Sequence, residues 1–133
     1  MYLVDTSVWI DYLRDRQNSA TKILSTILDK KIPFGITSFI YQEILQGAPS
    51  HDAFEELKSY FSTQKFFHPK HENETFQSAA YLYFLCRRKG ITIRSSIDCL
   101  IAQIAIEHKL VLLHHDQDYE KISKVIPELE LAA

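Results

Sequence analysis

The run Leu110-Val111-Leu112-Leu113 constrains this chain more than any other stretch. Four apolar residues in succession, with Lys109 before and His114 behind, have the length of a strand and none of the alternation of a half-solvated one. That pattern fits a strand buried on both faces, as in a parallel sheet covered by helices. Tyr2-Leu3-Val4 is a shorter apolar run that ends at Asp5-Thr6-Ser7, residue types that cap a helix by accepting its free N–H groups. The helix that follows carries Val8, Trp9, Tyr12 and Leu13, and another begins near Asn18-Ser19 with Ile23, Leu24, Ile27 and Leu28 on one face.

The alternation continues. Pro33 to Ile36 reads as a strand, Thr37-Ser38 as the cap of a helix running to about Gly47, and 51–62 as a fourth helix. Lys65 to His68 is a candidate third strand, Glu72 to Lys89 a long helix bearing Phe76, Ala79, Ala80, Tyr83 and Phe84 and closed by Gly90, and Ser95 opens a helix to about His108. Short strands alternating with longer helices predict an α/β fold of three layers, a short-stranded, mainly parallel central sheet flanked by helices. With 133 residues, 46% of them hydrophobic, and only 3 Gly and 4 Pro, the chain has material for one core and little for linkers, so 1–133 is expected to be a single domain.

Charge and cysteine usage narrow the function classes. A formal net charge of −2 gives no global electrostatic argument for a nucleic-acid partner, so local positions must decide. Cys86 and Cys99 lie in apolar helical patterns without metal spacing and read as reduced core residues. The first ten residues lack a basic segment and no apolar run is long enough to span a bilayer, so a cytoplasmic protein without membrane contact is expected.

Four carboxylates then stand out. In open α/β sheets ligands bind beyond the carboxyl ends of the strands, where Asp5 and Asp116 fall; both are equally suited to plain helix capping. Asp98 lies among Ile101, Ala102 and Ala105 on the helical wheel, so its carboxylate points into protein and must meet a cation, a hydrogen-bond network or a metal. A capping box from Ser95 to Asp98 is the competing explanation. Glu43 flanks the stripe of Ile40 and Ile44 beside Gly47, where it could equally reach water. Together the four supply the clustered oxygens that hard divalent cations require.

These residues carry a family resemblance. Leu3-Val4-Asp5-Thr6-Ser7-Val8-Trp9-Ile10, the Glu43 helix, Arg94-Ser95-Ser96-Ile97-Asp98-Cys99-Leu100-Ile101-Ala102 and His115-Asp116-Gln117-Asp118-Tyr119 resemble PIN domains, specifically the VapC-type toxins of bacterial toxin–antitoxin pairs, in order along essentially the whole chain. The resemblance implies a PIN-like fold and an Mg²⁺- or Mn²⁺-dependent endoribonuclease with Asp5, Glu43, Asp98 and Asp116 as its acidic quartet. It implies Asp5 and Asp98 as main metal ligands, Asp116 and Glu43 binding directly or through water, Thr6 as a steadying hydroxyl, and Asp118 as an accessory acid. A carboxylate-held cation acidifies a water and offsets transition-state charge, so no histidine base is required; His114-His115 has no zinc spacing. Arg94, one turn before Asp98, is the candidate RNA phosphate contact, against a salt bridge to one of the acids. Tyr119 stands where the family commonly has Phe, a departure expected to leave the chemistry unchanged. The same resemblance implies an RNA substrate, a cognate antitoxin and a homodimer.

Two other classes fit these residues less well. Aspartyl-phosphate chemistry of the haloacid-dehalogenase kind needs a second Asp where Ser7 stands, and a receiver domain needs a Lys after a late strand, whereas Lys109 precedes one. A PIN-like module kept only for binding RNA or protein is the non-enzymatic alternative.

Overall fold

Apolar strand residues bordered by helix caps produce the alternation of elements expected from them. The computed structural model describes residues 1–132. Strand β1 (Tyr2–Val4) leads to α1 (Thr6–Leu13) and α2 (Ser19–Asp29), then β2 (Phe34–Ile36), α3 (Ser38–Gln46), α4 (His51–Phe61) and β3 (Lys65–Phe66). The second half runs α5 (Glu74–Arg88), α6 (Ser96–Glu107), β4 (Val111–Leu113), α7 (Gln117–Val125) and β5 (Glu130–Leu131).

All strand pairs are parallel and the order is β3-β2-β1-β4-β5. Leu3, Val4, Ile36, Leu112 and Leu113 are buried, as a sheet covered on both faces demands. Helices α1 to α4 pack among themselves, as do α5 to α7. Right-handed crossovers that step one way across the sheet from β1 through β2 to β3, and the other way from β3 through β4 to β5, put these two groups on opposite faces, giving the three layers. From β1 the chain moves to one side and from β4 to the other, so a crevice opens at the carboxyl ends of these two neighbours.

Several local outcomes differ from expectation. The third strand stops at Phe66 rather than His68, and a fifth strand, Glu130–Leu131, pairs with β4 although nothing in its sequence announced it. Helix α5 buries Thr75, Ala79, Leu82 and Cys86 and turns Phe76 and Phe84 outward. Ser95 does cap α6, but its side chain makes no cap hydrogen bond, so the capping box proposed for Asp98 does not form. Both cysteines are buried free thiols, and burial pushes Cys99 up to about 12. No described helix is long and apolar enough to cross a membrane.

Candidate metal centre

Strand ends and helix caps build this site together. The Asp5 N–H donates to the Leu113 carbonyl at 2.9 Å, which stitches the end of β1 to the end of β4. Asp5 caps α1, with Oδ2 accepting from the Ser7 N–H at 3.1 Å and the Ser7 hydroxyl at 2.7 Å. The same hydroxyl accepts from the His115 N–H at 2.9 Å, so Ser7 joins the two loops that carry Asp5 and Asp116. On the far side of that loop, Asp11 accepts from Asn18 at 3.0 Å and meets His115 Nδ1 at 2.8 Å, and the histidine holds the Asp11 carboxyl below its ordinary value.

Asp116 caps α7 by accepting from the Asp118 N–H at 2.9 Å. Asp116 thus combines capping with a place in the acidic cluster, whereas Asp5 caps beside it. Asp98, in the first turn of α6, offers an oxygen that lies with oxygens of Asp116 and Asp118 within 4.8 Å of one another, a trio that could hold a metal ion. Burial pushes the Asp98 carboxyl up to about 7, with Asp5, Asp116 and Asp118 adding repulsion. Glu43 approaches from α3 and accepts from Thr6 Oγ1 at 3.1 Å; partial burial, chiefly, holds its carboxyl above the ordinary value.

Asp118 is the most enclosed acid of the group, 1% exposed, and its Oδ1 has no hydrogen-bond partner, with the Lys121 ammonium 3.8 Å away. Its other oxygen accepts from the Arg94 backbone N–H at 3.2 Å and from Nε at 3.1 Å, while Arg94 Nη2 reaches Asp116 Oδ1 at 3.0 Å. Of the two readings left open for Arg94, the structure thus displays the salt bridge, here to two acids at once; the side chain stays 71% exposed.

One contact lies outside the sequence expectations. Tyr119, in the place where the family commonly has Phe, is wholly buried, and its hydroxyl donates to Asp5 Oδ1 at 3.0 Å and lies 3.4 Å from Asp98 Oδ1. Asp5 stands outside the close trio and is tied to Asp98 through this one hydroxyl. Ser7 and Tyr119 are the site residues that sequence reasoning passed over. For Tyr119 the usable signal was its position three residues after Asp116, on the same helical face at the start of α7.

Comparisons with known proteins place this geometry. The family profile described as PIN domain matches residues 2–125. The VapC ribonuclease Mb1587 of Mycobacterium bovis and ribonuclease VapC11 of Mycobacterium tuberculosis are each 31% identical over 129 residues, covering 94% of this chain and 93% of theirs. Among solved structures, VapBC2 from Rickettsia felis, bound to a DNA fragment from its promoter, superposes with a TM-score of 0.73 at 19% identity over 98% of this chain and 96% of that one. FitAcB from Neisseria gonorrhoeae gives 0.71 at 17% identity over 100% and 97%.

Proposed function

The chain belongs to the PIN-domain family, among the VapC ribonucleases, and from that membership we propose that it hydrolyses RNA phosphodiester bonds as the metal-dependent toxin of a toxin–antitoxin pair. The observation that carries the metal-centre reading is the convergence of acids at the β1/β4 crevice, among them a buried Asp118 oxygen that accepts no hydrogen bond and faces only the Lys121 ammonium at 3.8 Å. A donor set made only of carboxylate oxygens fits Mg²⁺ or Mn²⁺, and a buried carboxylate oxygen without a hydrogen bond keeps lone pairs free for a cation. Asp5, Asp98 and Asp116 would hold the ion, with Asp118 at the buried end and Glu43 at the edge fixed by Thr6. An ion held there would supply an acidified water and offset charge on the phosphate, and addition of that water across the P–O3′ bond would leave a 5′-phosphate and a 3′-hydroxyl.

The protein's own groups do the positioning. Thr6 aims Glu43, and Ser7 locks the Asp5 and His115 loops in register. Arg94 pairs with Asp116 and Asp118 through Nε and Nη2, and its exposed guanidinium would contact an RNA phosphate drawn toward an otherwise acidic surface. A cognate antitoxin is supported by the structural neighbours VapBC2 and FitAcB, and a homodimer rests on the family resemblance alone.

The test is RNA cleavage by purified wild type, Asp5→Ala and Asp98→Ala, with Mg²⁺ and with EDTA. Cleavage is expected only in the first protein with metal, with losses of about 100-fold or more in the variants, and co-expression of the antitoxin should suppress it. A folded variant that cleaves as wild type does would remove its aspartate from the proposed centre. Retention of RNA without cleavage by wild type would favour the binding-module reading.

A further inference from the structure

Tyr119 presents a polar group in a place where its ring alone would suffice for packing. The ring is fully buried at the start of α7, tilted against His114 with centroids 5.3 Å apart. Its hydroxyl projects between the end of β1 and the first turn of α6, 3.0 Å from Asp5 Oδ1 and 3.4 Å from Asp98 Oδ1. Ser7 occupies Asp5 Oδ2 with two hydrogen bonds. Tyr119 is therefore the one donor to Asp5 Oδ1 among the described residues. A hydroxyl has one proton, so the shorter contact is the full hydrogen bond and the longer one its weak second branch.

Removing this oxygen would keep the ring but leave two carboxylate oxygens facing each other with no donor between them. Mutual repulsion would then swing one or both carboxylates away from the shared position. We propose that Tyr119 is a positioning residue of the cation site, its buried hydroxyl fixing the spacing and orientation of Asp5 and Asp98 for the ion they share. This inference rests on the metal-centre reading above. It assigns the tyrosine the role that hydrogen-bonding partners behind metal ligands generally play, setting ligand orientation without touching the substrate.

The experiment is calorimetric titration of Mg²⁺ and Mn²⁺ into the full, EDTA-treated chain, wild type against Tyr119→Phe. The Phe variant is expected to bind about 10- to 100-fold more weakly. Equal affinity in a folded Tyr119→Phe protein overturns the proposal and leaves the metal centre intact, whereas absence of binding by wild type overturns the metal-centre reading itself. A second measurement needs no stable variant. Saturating wild type with Mg²⁺ withdraws charge from the acceptor of the Tyr119 hydroxyl, so a tyrosine ultraviolet difference band should appear with the same midpoint as the heat signal. A silent tyrosine spectrum during saturable binding overturns the proposal even if Tyr119→Phe fails to fold.

Discussion

Asp98 makes the metal-free protein work against itself. Its carboxyl is raised to about 7 in the folded chain by burial and by Asp5, Asp116 and Asp118, against roughly 3.9 in an unfolded one. Between those values the folded state carries the extra proton, so in EDTA the Asp98 contribution to stability falls as pH rises from about 4 to 7. Asp98→Asn removes that slope, and denaturant unfolding in EDTA should find the variant more stable at pH 7, by on the order of 1 kcal/mol after allowance for partial solvation. Asp11, held down by His115, contributes with the opposite sign at lower pH in both proteins, so the difference between the two curves isolates Asp98. Parallel curves would show that Asp98 ionises as an ordinary surface acid. The inward position of Asp98 was legible because a polar residue interrupts an apolar helical face. The Tyr119 contact was not, because reaching Asp5 across 114 positions depends on how α7 docks rather than on any local pattern.

At the scale of elements, the β2–β3 edge is set by a glycine. A Cβ on Gly35 would fall 2.4 Å from Phe67 Cε2 and 2.7 Å from the Lys65 carbonyl, inside the strand that pairs with it. The ring could yield, but the backbone oxygen cannot move without disturbing the pairing. Gly35→Ala should therefore destabilise by about 1–3 kcal/mol, read as a lowered unfolding midpoint; an unchanged midpoint would mean that the edge slides freely. The main strands were readable from apolar runs closed by capping residues, as with Tyr2–Val4 before Asp5. Strand β5 was not, because Glu130 and Leu131 join β4 through backbone pairing and carry no apolar run of their own. The same limit applies to α5, where Phe76 and Phe84 fit a helical stripe yet end on the outer side, since periodicity gives a face but not what it is packed against.

Across the whole molecule, β1 sits at the middle of the sheet and needs β4, which comes near the other end of the chain. Without residues 110–133, Leu3 and Val4 lose a neighbouring strand and the Asp5 N–H loses the Leu113 carbonyl. A chain ending at Lys109 should show no cooperative thermal transition by circular dichroism, and a sharp one would disprove the dependence. The consequence reaches into synthesis. Strand pairs so distant in sequence form late, and chains grow at about 5–20 residues per second. While its first strand and most of its helices are already outside the ribosome, the growing polypeptide still lacks Asp116, Asp118 and Tyr119. On the proposed reading of the site, it stays unarmed beside its own messenger and the ribosomal RNA until β4 and α7 have emerged and docked.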